Sequence, residues 1–275
     1  FDSAGIYYDP SQPSDLEKIL SDTQFTQAEC DRALLLVGKL IVENISKYNV
    51  GSEILESEQI KQEAGEKKIL LVPGQVPGDA SIRLACENVN SDQALLAAVR
   101  EQNEHAYILY KPHPDTVSGN IKGKSSSRVN ALADSVVCEA SIADCLAVAD
   151  EVHTMTSLVG FEALMRRKKV VVYGRPFYAG WGLTEDRLAI PRRQRRLSLA
   201  ELAAAVLIRY PRYIDYETGL FITPEQALAI LVSAKASAPS RVIAANKCYR
   251  FVTKVRNLFF SYVYGFQIKQ KRRWK

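Results

Sequence analysis

Short apolar runs alternate with helix-period segments through the middle of this chain. Ile69-Leu70-Leu71-Val72, Tyr107-Ile108-Leu109-Tyr110, Ser135–Cys138, Glu151–His153 and Val170-Val171-Val172-Tyr173 read as strands, because they are brief and most are rich in β-branched or aromatic residues. Between them the apolar spacing lengthens, and helices are predicted at Ser91–Gln102, Ile142–Ala149 and Leu158–Arg167. Upstream, Ser14-x-x-Glu17 and Thr26-x-x-Glu29 have the spacing of capping boxes, in which two side chains satisfy N–H groups at the start of a helix. The second box opens a helix predicted to reach about Tyr48, with Leu34, Val37, Ile41 and Ile45 on one stripe. Ser198-x-x-Glu201 and Thr223-Pro224-x-Gln226 open two more, the latter with proline in the first turn. Apolar strands alternating with helices predict an α/β fold with a doubly wound parallel sheet covered on both faces.

Three segments are expected. Residues 1–66 read as the end of one unit followed by a polar linker at Ser52–Lys68, residues 67–235 as a Rossmann-like domain, and residues 236–275 as a basic amphipathic tail. Charge sharpens the last boundary. The net charge is +5, yet Ala236–Lys275 contains ten basic residues and no Asp or Glu, so the remainder is acidic by about five charges. From Arg241 to Phe266 the tail has an apolar stripe at Phe251, Val255, Leu258, Phe259 and Tyr262, with Lys247, Arg250 and Lys254 on another face. That pattern fits a helix lying in an anionic membrane surface, and equally a helix docking on a further domain. Nucleic acid fits the charge but has no recognisable motif here.

Composition excludes several classes. With 275 residues, 47% hydrophobic and 24% charged, the chain resembles an ordinary soluble globular protein. Five cysteines without a C-x-x-C pair read as reduced core thiols, not a disulfide frame or zinc site. No run is apolar enough to span a bilayer, no signal peptide is recognisable, and the start at Phe1 in mid-pattern reads as that of a fragment.

The candidate chemistry gathers after successive strands. Lys111-Pro112-His113-Pro114-Asp115 follows the strand at Tyr107–Tyr110, and its prolines stiffen the backbone on both sides of His113. The carboxyl end of a strand is where open α/β sheets bind ligands, and Lys111 and His113 offer donors there for a phosphate or carboxylate. Glu139 follows the next strand, where a carboxylate can accept ribose hydroxyls or simply favour a helix dipole. Thr156 and Ser157 stand at a helix start, which is either an anion site or ordinary capping, and Gly160 in the first turn permits close approach of a ligand or backbone. Asp79 lies in a Gly/Pro-rich loop after Ile69–Val72 and reads as an Asx-turn or as a reactive carboxylate. His105 and His153 read as a surface or capping residue and a core residue. The run Arg192-Arg193-Gln194-Arg195-Arg196 reads as a solvated face or as a counter-charge for an acidic ligand.

Taken together, Gly5–Asp9, Gly74–Ser81, Lys111–Asp115, Thr156–Leu164 and Tyr173–Thr184 resemble the capsule polysaccharide β-Kdo transferases of the KpsC type, with KpsS and LipB relatives. The resemblance implies a GT-B-like fold, with residues 1–66 the remnant of the acceptor-side domain. It implies CMP-Kdo as donor substrate, no cofactor and no metal, and transfer with retention to a glycolipid acceptor on the cytoplasmic side of the inner membrane, within capsule assembly and export. On this resemblance Asp79 is the nucleophile and Gln75 orients it or the sugar. Lys111, His113, Pro114, Glu139, Thr156, Ser157 and Gly160 hold the nucleotide sugar, while Arg175, Tyr178 and Trp181 are candidates for a sugar- or acceptor-facing wall. The residues alone leave two alternatives open: an inverting CMP-sugar transferase with Asp79 as general base, and a non-catalytic nucleotide-binding or scaffold module.

Overall fold

The computed structural model of the chain describes residues 2–46, 57–117 and 127–237. The basic stripe and Cys248 of the tail lie outside them, as does the predicted end of the second helix at Tyr48. In chain order the elements are α1 (Asp15–Asp22), α2 (Gln27–Val42), α3 (Ser57–Ala64), β1 (Ile69–Pro73), α4 (Ala80–Ala85), α5 (Asp92–Gln102), β2 (Tyr107–Lys111), α6 (Pro114–Val117), α7 (Ser127–Leu132), β3 (Ser135–Val136), α8 (Ile142–Val148), β4 (Glu151–Thr154), α9 (Leu158–Met165), β5 (Lys169–Val172), β6 (Glu185–Asp186), α10 (Leu199–Ala204), a π-helical turn (Ala205–Arg209), β7 (Tyr213–Ile214), β8 (Phe221–Ile222) and α11 (Pro224–Ser237).

Six strands form one parallel sheet in the order β3-β2-β1-β4-β5-β6, and β7 and β8 make a separate antiparallel pair. This is the strand order of doubly wound dinucleotide-binding sheets, in which the strand order reverses between β1 and β4 and opens a crevice there. Every residue of β1, β2 and β4 is buried, as strands covered on both faces require. Alternate side chains feed two cores. Ile69, Leu71, Leu109, Val152 and Val170 pack with α1, α2, α8, α9 and α10 on one face, while Leu70, Val72, Ile108 and Val171 pack with α4, α5 and α7 on the other.

Residues 1–232 form one compact unit, so the boundary read at residue 66 is not a break in packing. Leu16 and Leu20 of α1 and Ala33 and Val37 of α2 belong to the same core as the strands. The buried seam of α2 is Ala33, Leu36 and Val37, whereas Leu34 is exposed, a rotation of the stripe read from spacing alone. The helix stops at Val42 because Asn44 adopts a left-handed conformation (φ 50°), and Ile45 N–H turns back to the Leu40 carbonyl. Likewise Arg167 (φ 57°) closes the turn after α9. Thr26/Glu29 and Ser198/Glu201 form complete capping boxes, but Ser14 caps α1 without reciprocation. The carboxylate of Glu17 is instead drawn to Arg192 and Arg193.

That pairing corrects the solvated-face reading of the arginine run. Arg193 is buried and donates to Glu17 at 2.8 Å and to the carbonyls of Pro176 (2.7 Å) and Ala179 (2.8 Å), with its guanidinium over the Trp181 ring. Arg192 also bonds the Pro10 carbonyl, and Arg195 the Thr23 carbonyl and Glu201. Burial raises the Glu17 carboxyl, but the two guanidiniums outweigh it and hold the group below the usual carboxylate range. Of the thiols expected in the core, Cys145 is buried while Cys138 is exposed.

Candidate functional site

The carboxyl ends of β1, β2 and β4 meet at the switch point of the sheet. After β1 the chain must turn close beside β2, where Gly74 N–H donates to the Lys111 carbonyl at 2.8 Å. A Cβ at position 74 would lie 2.8 Å from Asp92 Oδ2 and 2.9 Å from the Tyr110 hydroxyl, so only glycine fits. Asp92, in the first turn of α5, accepts from Gln75 N–H (3.0 Å) and from the Tyr110 hydroxyl (2.7 Å). Burial pushes the Asp92 carboxyl up, partly offset by those two bonds, and pushes the Tyr110 phenol well above its ordinary range.

The Gln75 side chain spans the crevice. Its Nε2 donates to Thr156 Oγ1 (2.8 Å) and its Oε1 accepts from Thr156 N–H (2.9 Å), joining residues 81 apart in sequence. A two-point lock of this kind fixes the amide orientation. Next, Val76-Pro77-Gly78-Asp79 makes a turn closed by Asp79 N–H to the Val76 carbonyl (3.1 Å), with Gly78 at φ 76°. Proline followed by a left-handed glycine is the signature of a type II turn. It delivers Asp79 to the start of α4, where Oδ1 accepts from Ser81 N–H (2.9 Å) and Ser81 Oγ (3.2 Å). The capping role is therefore formed, and no hydrogen bond among the described residues occupies Oδ2. Ser81 Oγ lies 3.1 Å from Thr156 Oγ1, so one hydrogen-bonded chain runs from Asp79 through Ser81, Thr156 and Gln75 to Asp92 and Tyr110.

From β2, Lys111 is buried and its Nζ donates to the Cys138 carbonyl (3.1 Å), drawing the segment after β3 toward the same rim. His113 Nδ1 accepts from Asp115 N–H (3.2 Å), an arrangement that puts the proton of the neutral ring on Nε2. Pro114 begins α6. After β4, Ser157 caps α9 by accepting from Val159 N–H (3.2 Å), beside Thr156.

Most of these groups line one cavity of about 340 Å³, within the range of small-molecule sites, while Asp92 and Tyr110 stand behind it. Gln75, Asp79, Lys111, His113, Thr156 and Ser157 make its polar side, with Pro114 among its walls. Glu139 is exposed on the segment next to Cys138 and is not part of the lining. Gly160 is also outside it: a Cβ there would meet the Tyr178 hydroxyl at 2.3 Å, so the close approach it permits is that of a side chain. Tyr178 donates to the Ser157 carbonyl (2.5 Å) beneath the first turn of α9. Tyr178 and Trp181 are wholly buried, and Arg175 pairs with Glu87 and the Ala189 carbonyl, so none of the three forms the cavity wall. That wall comes from Phe177 together with Tyr7 and Tyr8. Glu162, a buried carboxylate on α9, also borders the space. His153 is core, 2% exposed, and contacts Glu151 and Tyr173; it is not part of the cavity lining. Among the described residues no group of three or more His, Cys, Asp or Glu is disposed to hold a metal, and no helix is long and apolar enough to cross a membrane.

Asp92 and Tyr110 escaped the sequence reading because each looks like a routine helix-start or strand residue. Tyr7 and Tyr8 fall in a string that carried the family resemblance, yet no element period marks them as lining the cavity.

A Rossmann-ordered sheet with a polar cavity at its switch point defines a ligand-binding α/β module, of the GT-B-like class. The chain belongs to the capsule polysaccharide biosynthesis protein family, whose model matches residues 1–213. It is 46% identical over 263 residues to the capsule polysaccharide modification protein LipA of Neisseria meningitidis serogroup B, covering 95% of this chain and 37% of LipA. It is 39% identical to the lipopolysaccharide-processing protein LpsZ of Rhizobium meliloti, covering 86% of this chain and 54% of LpsZ. The chain thus spans about a third to a half of the curated relatives it matches. Among solved structures it is similar to the β-Kdo 2,7 transferase of Thermosulfurimonas dismutans KpsC, with a TM-score of 0.72 and 39% identity over 85% of this chain and 71% of that one. The β-Kdo 2,4 transferase of the same KpsC gives 0.71 and 32%, over 84% and 71%.

Proposed function

We propose that this chain is the donor-binding and catalytic part of a retaining Kdo transferase that takes Kdo from CMP-Kdo to a glycolipid acceptor in capsule assembly, with Asp79 as nucleophile. The observation that carries the reading is the gathering of Asp79, Gln75, Lys111, His113, Thr156 and Ser157 around one cavity. In this scheme the Asp79 carboxylate attacks the ketosidic carbon, the bond to the CMP phosphate breaks with its electron pair going to phosphate oxygen, and a glycosyl ester forms on Asp79. Lys111, the His113 Nε2–H and the start of α9 stabilise the departing phosphate. The acceptor hydroxyl then attacks the same carbon and loses its proton, and Asp79 is released as carboxylate. Gln75, locked to Thr156, holds the sugar or the carboxylate in register. Glu139, beyond the cavity wall, is reserved for the ribose.

The cytoplasmic face of the inner membrane is the proposed location, with the basic C-terminal tail making peripheral contact with anionic lipid. The test is intact-mass measurement after exposure of the full chain to CMP-Kdo. A one-sugar adduct is expected on the wild type and none on Asp79→Ala, with turnover falling by roughly a thousandfold or more. An adduct that persists in Asp79→Ala, or a product of inverted anomeric configuration, overturns the assignment.

A further inference from the structure

The cavity has two unlike sides, and the polar one accounts for a phosphate and a reactive carboxylate but for no sugar ring. Opposite chemistry comes from the segment before α1 and the loop after β5, which contribute Tyr7, Tyr8 and Phe177. Tyr7 is 42% exposed although the surrounding structure holds it firmly. Its ring meets Tyr8, Phe177 and Tyr210 edge-to-face, with centroids at 5.5, 5.8 and 6.3 Å. Tyr210 is fixed in turn by its hydroxyl to Asp2 Oδ2 at 3.0 Å, and Phe177 is backed by Phe161 (5.6 Å) and Tyr178 (5.1 Å). Arg192 ties down the same segment through the Pro10 carbonyl. A rigid aromatic group that is braced from several sides, yet left open on a ligand cavity, gains nothing for folding from its exposed area. It is suited to a partner with one apolar face and a hydroxylated rim, which is the description of a pyranose ring.

We infer that Tyr7, with Tyr8 and Phe177 behind it, is a pyranose-binding platform of this cavity, a site that sets where the sugar ring lies relative to Asp79. The inference rests on the transferase reading. It names the aromatic surface that reading lacks, and the ring it holds is either the donor's or the acceptor's.

The test uses the full chain, with Tyr7→Ala and Tyr7→Phe. Saturation-transfer NMR with free Kdo and with a methyl pyranoside reads ring contact directly, and titration compares CMP with CMP-Kdo. Tyr7→Ala is expected to abolish saturation transfer to the ring protons, and Tyr7→Phe to restore it. Where the platform holds the donor, Tyr7→Ala weakens CMP-Kdo by about five- to tenfold and leaves CMP unchanged. Where it holds the acceptor, CMP-Kdo binding is unchanged and the acceptor KM rises by a similar factor. Loss of CMP and CMP-Kdo affinity in equal measure would show general loosening of the cavity and overturn the platform, as would no change in any of these quantities. Wild type that receives saturation from pyranosides but does not bind CMP-Kdo would sink the transferase reading while leaving the platform standing.

Discussion

One added methyl group at position 74 would press on a carboxylate, a phenol and the backbone of His113 together, which shows how tightly the switch point is packed around Asp92. Tyr110→Phe tests that packing without adding bulk. It deletes the donor at 2.7 Å from a largely buried carboxylate oxygen, and about 1–2 kcal/mol of stability should be lost in urea denaturation. Substituting Thr156 by Val keeps the shape, breaks the side-chain half of the Gln75 lock, and should lower turnover more than it raises the donor KM. At this scale the sequence was legible where a residue type was odd for its place. His113 between two prolines and Asp79 after Pro77-Gly78 stood out, and both line the cavity. Gln75 and Thr156 were also singled out, but their bond to each other was not, because a pairing across 81 residues exists only once the strand order is known. Trp181 misled for the opposite reason: its aromatic surface suits a sugar, but its N–H is spent on the Phe177 carbonyl inside the core.

Among the elements, the central strands were readable because a continuous apolar run of four or five residues has few other uses in a chain of this composition. The first helix was harder. Its serine and glutamate have capping spacing, yet the glutamate serves a tertiary contact with Arg192 and Arg193, which no local pattern encodes. Glu17→Gln would leave the buried Arg193 facing a neutral amide, and a loss of about 3 kcal/mol is expected in chemical denaturation. The same change should weaken ligand binding only indirectly, through the Pro176–Ala179 loop whose carbonyls Arg193 holds. Equal stability of Glu17→Gln and wild type would show that the pair contributes nothing beyond packing.

For the molecule as a whole, acid should act first at a buried histidine of the central sheet. Burial pushes the His153 imidazole down to about 4, despite attraction from Glu151, so the folded protein keeps it neutral where an unfolded chain would protonate it. The unfolded state therefore binds more protons between about pH 6.5 and 4, and stability must decline as pH falls through that window, by up to about 1.4 kcal/mol per unit. Glu17 and Glu151 are held low by their cationic partners despite burial, so their contributions are present above the ordinary carboxylate pKa and disappear only below it. Urea titrations from pH 7 to 4 should show His153→Phe flattening the upper part of this decline while leaving the steeper loss at lower pH. An unchanged slope would mean that His153 is not the proton acceptor. The fold class could be read because alternation of strands and helices is a whole-chain property. The joining of residues 2–46 to the sheet could not, since it depends on which arginine of a run of four turns inward.

That inward turn limits how the polypeptide can be trimmed. A recombinant version starting at residue 67, just ahead of the first parallel strand, would discard the anion that neutralises Arg193 and uncover the apolar seat of three helices. It should collect in inclusion bodies, because the piece read as the end of a separate unit is one wall of the main core.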